Sequence, residues 1–162
     1  MIVVSDTTPI HYLILIEEES VLPATFGEIV VPEAVVEEMV HRNAPSRVRE
    51  WIANPPEWVK VESPSKSALE GVLGLGPGES SAVAIAIERH AEAVLMDDRK
   101  GIREARKLGL TVLTTLTIIE MAANGGLLEF ETALEKLANT SFRMPPEEVL
   151  EDYLHRFKDG IA

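Results

Sequence analysis

The stretch Ile2-Val3-Val4-Ser5-Asp6-Thr7-Thr8-Pro9 joins a β-branched apolar run to the start of a helical pattern. Residues 2–5 predict a buried strand. Residues 7–18 predict a helix with Pro9 in its first turn, where a missing N–H does no harm. Asp6 lies between the two elements, so a carboxylate is expected directly after the first strand.

The same alternation of short apolar runs and longer helical patterns continues along the chain. Strands are predicted at residues 28–31, 58–61, 93–96 and 111–113, and helices at 33–41, 46–53, 79–90, 99–108, 115–123, 129–139 and 146–158. Strands separated by helices pair in parallel through right-handed crossovers. The sequence therefore predicts an α/β fold, a three-layer α/β/α domain with a parallel, roughly five-stranded sheet. In such folds ligands bind beyond the carboxyl ends of the strands.

Composition limits the class of protein. The 162 residues suit one domain, 46% of them are hydrophobic, and none is cysteine, which excludes disulfides, thiolate metal sites and cysteine nucleophiles. The N-terminus lacks the basic region of a signal peptide, and no apolar run is long enough to span a membrane, so we expect a soluble cytoplasmic protein. The net charge of −12 opposes polyanion binding, unless divalent cations neutralise acids or the basic residues are concentrated in one place.

Acidic residues follow two of the predicted strands. Asp6 comes after the first strand, and Asp97 and Asp98 come after the fourth. If these strands are neighbours, the carboxylates converge at one edge of the sheet, where they remain ionised only with cations between them. Oxygen ligands of this kind suit Mg²⁺ or Mn²⁺.

Two further acids are predicted to reach the same edge. Glu79 begins the helix after the glycine-rich turn at residues 71–78, and Glu38 is expected to lean inward while Glu37 faces solvent. Each acid alone has a simpler interpretation, as a helix cap, a favourable charge on a helix dipole, or part of a solvated face. Capping does not explain why acids follow two separate strands of one sheet.

The helix after Asp98 is strongly basic. Its positive residues are Arg99, Lys100, Arg103, Arg106 and Lys107. Arg99, Arg103 and Arg106 project within about 60° of each other, which would place phosphate-binding guanidinium groups beside the acids. Ile102, Ala105 and Leu108 are predicted to face the core. The alternative is a solvated face with Glu104 as an ion-pair partner. A smaller basic group, Arg42, Arg47 and Arg49, is predicted on the opposite side of the groove.

The four histidines show no metal-ligand spacing. They are His11, His41, His90 and His155, and all lie in or beside predicted helices. We therefore interpret them as surface or packing residues.

Four ordered motifs resemble those of the PIN-domain nucleases, most closely the VapC-like branch of prokaryotic toxin–antitoxin systems. They are Val3-Val4-Ser5-Asp6-Thr7-Thr8-Pro9-Ile10; Val31-Pro32 with Val35-Val36-Glu37-Glu38-Met39; Gly76-Pro77-Gly78-Glu79-Ser80; and Leu95-Met96-Asp97-Asp98-Arg99-Lys100. The resemblance covers most of residues 1–125. The chain departs from the family pattern at Glu79, where many relatives have Asp, and at Met96 and Gly101, where the fourth motif often has Thr and Phe.

The resemblance implies a parallel sheet, a Mg²⁺- or Mn²⁺-dependent endoribonuclease, a homodimer and a small antitoxin partner. It implies Asp6, Glu38, Glu79 and Asp98 as the catalytic acids, with Asp97 competing with Asp98 as a metal ligand and Thr7 supporting the site. The substrate would be single-stranded or structured RNA, held by Arg99, Lys100, Arg103 and Arg106. Residues 1–162 would form one nuclease domain, with 127–162 as a helical extension packed on it.

Two other functions remain open from the residues alone. A non-catalytic interaction module could use the face formed by Val149, Tyr153, Leu154 and Phe157 to bind a partner, although this face could equally pack on the domain's own core. A doubly wound phosphatase would also carry an aspartate after its first strand, but Asp6 lacks the second aspartate two positions on that would act as general acid.

Overall fold

The computed structural model describes the backbone of residues 1–161 and the side chains of residues 1–156. Its sheet has five parallel strands in the order β3-β2-β1-β4-β5. The strands are β1 (Val3–Ser5), β2 (Ile29–Pro32), β3 (Val59–Glu62), β4 (Ala93–Leu95) and β5 (Val112–Leu113). The predicted α/β fold is confirmed, and β1 and β4 are neighbours, with Val3 paired to Ala93 and Ser5 to Leu95.

Helices cover both faces of the sheet. They are α1 (Thr7–Leu15), α2 (Val21–Phe26), α3 (Glu33–Val40), α4 (Ser46–Ala53), α5 (Lys66–Glu70), α6 (Pro77–Glu88), α7 (Arg99–Lys107), α8 (Thr115–Asn124), α9 (Phe130–Ala138) and α10 (Glu147–Ile161). None of the described helices is long and apolar enough to cross a membrane.

Alternate residues of the central strand belong to two separate hydrophobic cores. Val3 packs into the larger core, which includes residues of α1, α3, α4, α8 and α9. Val4 packs into the smaller one, which is built largely from the apolar residues of α6 together with Ala105 of α7. Because successive side chains of a strand point to opposite faces, this division produces the three layers.

Several details differ from the sequence-based prediction. The short helices α2 and α5 were not predicted, and α6 begins at Pro77 rather than Glu79, because proline suits the first helical position. The prediction that Leu108 faces the core is wrong. Leu108 follows the last residue of α7 and is 47% exposed, whereas Ala105 is buried and Ile102 partly buried.

The last two helices lie against the larger core. Phe130 at the start of α9 is fully buried, and Tyr153 and Leu154 of α10 pack against the same core. Val149 is 40% exposed, and the side chain of Phe157 lies outside the described residues. Most of the described part of the predicted helical face thus covers the chain's own core.

Candidate active site

Asp6 is a buried carboxylate at the carboxyl end of the central strand. Its backbone N–H donates to the carbonyl of Leu95, with 2.9 Å between the two atoms, which continues the ladder between β1 and β4. The residue is 4% exposed, and its side chain makes no capping hydrogen bond to α1. Asp6 thus occupies the N-cap position of α1, but side-chain capping does not account for its carboxylate.

The surroundings of Asp6 oppose its ionisation. Burial and the charges of Glu79, Glu38 and Asp98, opposed by a hydrogen bond from the backbone N–H of Thr7, together raise the pKa of this carboxyl from 3.8 to about 7. Nearby negative charges disfavour another carboxylate. The other three acids predicted from the sequence therefore lie close enough to Asp6 to influence its charge.

Glu38 lies on α3, with its carboxylate close to that of Asp6. Glu37 and Glu38 are both exposed, so the expected division into one inward and one outward residue does not hold. The hydroxyl of Thr7 donates to Glu38, with 2.6 Å between Oγ1 and Oε2. A Cβ built on Gly78 would lie 2.7 Å from Oε1 of Glu38 and 3.1 Å from Oδ1 of Asp6. The absence of a side chain at Gly78 thus lets the start of α6 approach both carboxylates.

Glu79 and Asp98 are brought together around Gly101. A Cβ built on Gly101 would lie 3.5 Å from Cγ of Glu79 and 3.4 Å from Oδ2 of Asp98. Asp98 also caps α7, since Oδ2 accepts the backbone N–H of Gly101 at 2.8 Å. Asp98 therefore caps α7 and also lies close enough to Asp6 to act on its charge.

Asp97 has different partners. Its carboxylate accepts hydrogen bonds from the hydroxyl and the backbone N–H of Thr115 at the start of α8. Burial raises the pKa of Asp97, and the hydrogen bonds from Thr115 lower it. Asp97 is not among the acids that act on Asp6. The two neighbouring aspartates thus diverge, one toward α8 and one toward the acidic cluster formed by Asp6, Glu38, Glu79 and Asp98.

A family model described as a PIN domain matches residues 2–159. The chain belongs to the PIN-domain family. PIN domains are generally nucleases that act on RNA or DNA, and they usually use divalent metal ions such as Mg²⁺. A search of curated proteins found no match.

The acidic cluster of this PIN domain fits a hard divalent cation by its chemistry. Its donors are carboxylate oxygens, and a cation among them would remove the repulsion that raises the pKa of Asp6. Among residues 1–156, whose side chains the structure describes, no three acidic or histidine side chains are already arranged around one point as ligands.

The basic residues of α7, the helix that Asp98 caps, line an open groove. Arg99, Arg103, Arg106 and Lys107 line about 620 Å³ of it together with Ile102. We call this surface the basic stripe. Lys100 lies instead over the glycine-rich turn, with Nζ 3.6 Å from a Cβ built on Gly74. The alternative ion pair is also present, since Lys107 contacts Glu104 at 3.2 Å.

The second predicted basic group, Arg42, Arg47 and Arg49, offers fewer free positive charges than the basic stripe. Arg47 pairs with Glu17, and Arg49 is only partly exposed, with its Nε buried and unpaired among the described residues. Arg42 is exposed. This side of the PIN domain therefore presents less free positive charge than the three arginines predicted.

A second groove was missed by sequence reasoning. It holds about 470 Å³ beside Glu38 and is lined by Thr7, His11, Ala34, Glu37, Glu38, His41, Asn43, Ala44 and Pro77. We call it the histidine groove. Two of the four histidines, His11 and His41, line this groove because α1 and α3 pack side by side. Spacing along the chain could not reveal this pairing, since it arises only from tertiary packing. His90 and His155 are exposed elsewhere.

Proposed function

We propose that this chain is a Mg²⁺- or Mn²⁺-dependent endoribonuclease that hydrolyses phosphodiester bonds of RNA. The observation that carries the proposal is the buried carboxyl of Asp6, whose pKa is raised to about 7 by burial and by Glu79, Glu38 and Asp98 around it. A stable fold tolerates such a group when a bound cation offsets the repulsion. Membership of a family of metal-using nucleases agrees with it.

Each acid has a proposed role. Asp6, Glu79 and Asp98 would hold the cation, with Asp97 as the alternative ligand beside Asp98, and Glu38 would complete the catalytic set while Thr7 holds it in place. A bound Mg²⁺ or Mn²⁺ supplies Lewis-acid stabilisation of the phosphate and lowers the pKa of the attacking water. In the overall reaction water adds to phosphorus and the bond to the leaving ribose oxygen breaks.

The basic stripe would bind the RNA backbone. Arg99, Arg103 and Arg106 line one groove on the helix that Asp98 caps, and Lys100 of the same helix lies over the glycine-rich turn. Guanidinium groups bind phosphate oxygens in a bidentate way. A local positive surface is needed because the chain as a whole carries a net charge of −12.

Cleavage of a single-stranded RNA by purified protein tests the proposal. We expect cleavage in Mg²⁺ or Mn²⁺, none in EDTA, and none by Asp6→Asn, while the exposed matched control Asp152→Asn cleaves like the parent. Circular dichroism and thermal unfolding show whether each variant is folded. A folded Asp6→Asn protein that cuts RNA at the parental rate would overturn the proposal.

We also propose the finer biological setting that the VapC-like resemblance implies. The chain would be the toxin of a toxin–antitoxin system, a cytoplasmic homodimer inhibited by a small antitoxin protein. Residues 1–162 would act as one nuclease domain with 127–162 as its helical extension. Light scattering measures the mass in solution. Expression with and without the product of the adjacent gene measures growth inhibition, and a monomer that does not affect growth would contradict this setting.

A non-catalytic interaction module is the second candidate function. It is favoured by the finding that, among the side chains of residues 1–156, no three acidic or histidine groups are already arranged around one point. Calorimetric titration with Mn²⁺ separates the two functions. A folded protein with no measurable Mn²⁺ binding would support the module, whereas binding that is lost in Asp6→Asn supports the nuclease.

A further inference from the structure

Three consecutive residues at the start of α6 connect the histidine groove to the start of α7. Pro77 lines the histidine groove, Gly78 faces Asp6 and Glu38, and Glu79 meets Asp98 at Gly101 of α7. Glu38 of the acidic cluster thus lines one groove, and Asp98 of the cluster caps the helix that carries the other. The groove on α7 is lined by cations, and the histidine groove carries acids, imidazoles and a carboxamide.

The histidine groove is unsuited to a phosphate. Glu37 and Glu38 both line it, and their charges would repel an anion. Its volume of about 470 Å³ falls within the roughly 300–1,000 Å³ of typical small-molecule sites. An RNA strand whose phosphate lies at the acidic cluster would bring an uncharged base, and not a second phosphate, into such a space.

The groove carries groups that recognise a base by stacking and by hydrogen bonding. The ring of His11 lies 4.6 Å from that of Tyr12, and the Tyr12 hydroxyl is hydrogen-bonded to Ser141 at 2.9 Å, so His11 rests on an anchored aromatic ring. Unpaired bases stack on rings of this kind. Proteins read the edges of such bases with side-chain amides and carboxylates.

His41 and Asn43 both offer hydrogen-bond donors to the groove. Nδ1 of His41 accepts the backbone N–H of Asn43 at 3.1 Å, so a neutral His41 carries its proton on Nε2. The carboxamide of Asn43 makes no hydrogen bond within the part of the chain that the structure describes. Glu37 is exposed and adds an acceptor that pairs with exocyclic amino groups.

We propose that the histidine groove binds one nucleobase of the RNA strand, next to the phosphate at the acidic cluster. His11 stacks on the base, and Asn43 and Glu37 read its edge, with Glu37 favouring a base that bears an exocyclic amino group over uracil. This inference rests on the proposed nuclease function and adds the part of the substrate that sets its specificity.

Sequencing of the cleavage products of a randomised RNA tests the proposal in the full-length protein. The parent should discriminate against uracil at one position beside the cut. Glu37→Gln should reduce that discrimination by about fivefold or more, and Asn43→Ala should weaken it further. The charge-matched control is Glu57→Gln, an exposed residue just before the amino end of β3. It should retain the parental profile.

A binding measurement removes the dependence on catalysis. Fluorescence anisotropy of short labelled oligonucleotides on Asp6→Asn should show weaker binding after His11→Ala and recovery with His11→Phe, which restores a stacking ring. Unfolding curves identify any variant that fails to fold. If RNA is cleaved but Glu37→Gln, Asn43→Ala and His11→Ala all keep the parental profile and affinity, the base site is wrong while the nuclease stands. If no RNA is bound or cleaved, the nuclease itself fails.

Discussion

The hydroxyl of Thr7 donates a hydrogen bond to the carboxylate of Glu38, with 2.6 Å between Oγ1 and Oε2. The bond joins the first turn of α1 to α3, and its two residues are 31 positions apart along the chain. It fixes an exposed glutamate that would otherwise sample several rotamers.

Removal of this hydroxyl should weaken metal binding without unfolding the protein. In Thr7→Val the Glu38 carboxylate loses a bond worth about 1 kcal/mol, so we expect about a fivefold loss of Mn²⁺ affinity by calorimetry. Thr8→Val is the matched control, because the Thr8 hydroxyl makes no hydrogen bond in the described part of the chain. Equal losses in both variants would contradict the role given to Thr7.

The buried carboxyl of Asp6 should make the metal-free protein less stable as pH rises. Its folded pKa of about 7 lies above the ordinary value of 3.8, so the folded state holds the proton more tightly than the unfolded state does. The stabilising contribution is complete below about pH 4 and is lost as pH rises to about 7, an upper limit of about 4 kcal/mol.

Urea unfolding in EDTA measures this effect. Asp6→Asn cannot ionise, so it should be more stable than the parent at about pH 8 and gain little at about pH 4. Addition of Mn²⁺ at the higher pH should stabilise the parent and leave the variant unchanged. A difference between the two proteins that is the same at both pH values would show that Asp6 does not titrate in this range.

Gly78→Ala should damage the active site more than the fold. The added Cβ would lie 2.7 Å from Oε1 of Glu38 and 3.1 Å from Oδ1 of Asp6, and displacement of reacting groups by about 1 Å can cost up to roughly a hundredfold in rate. Alanine itself favours a helix by about 0.5–1 kcal/mol. We therefore expect cleavage to fall steeply while the unfolding free energy changes little. Gly125→Ala, whose Cβ would meet only ordinary contacts, should retain activity.

The two neighbouring aspartates should respond differently to loss of charge. Asp98→Asn keeps a good helix cap for α7 but removes a charge beside Asp6, so Mn²⁺ affinity should fall with little change in stability. Asp97→Asn should change Mn²⁺ affinity little, because its partner is Thr115. Calorimetry and thermal unfolding of both variants distinguish these outcomes, and a greater loss of affinity in Asp97→Asn would reverse the assignment.

The basic stripe should determine how RNA binding depends on salt. Removing one phosphate contact lowers the slope of log affinity against log salt by about 0.7 for a single strand. We expect this change in Arg103→Gln, measured on the Asp6→Asn background by fluorescence anisotropy. Lys60→Gln, an equal loss of charge on β3, should leave the slope unchanged. An unaltered slope in Arg103→Gln would remove the stripe from the RNA path.

The fold was largely predictable because hydrophobic periodicity and β-branched runs mark its strands and long helices. The convergence of Asp6 with Asp98 also followed from the sequence, since both come directly after strands that are neighbours in the sheet. The helix α2 was missed because six residues that include Pro23 show no helical period.

Other parts of the site depend on packing that no local pattern encodes. His11 and His41 line the same groove only because α1 and α3 lie side by side, although the two residues are far apart in the chain. The separation of Asp97 from Asp98 depends on the hydroxyl of Thr115, which is brought close only when α8 packs beside the sheet. Leu108 was misplaced because helical periodicity was extended beyond the last residue of α7.

The helix α6 is enclosed by neighbours from Ser80 to Ala86, with Ala82 and Ala84 fully buried. Because close packing holds this part of the helix, it cannot rotate independently of the core. The first turn of α6 is therefore as rigid as the hydrophobic packing behind it. Enlarging Ala84 to fill out the interior would therefore shift Gly78 and Glu79 as well. Attempts to make this protein more heat-resistant by redesigning that interior would alter its chemistry without touching any reacting group.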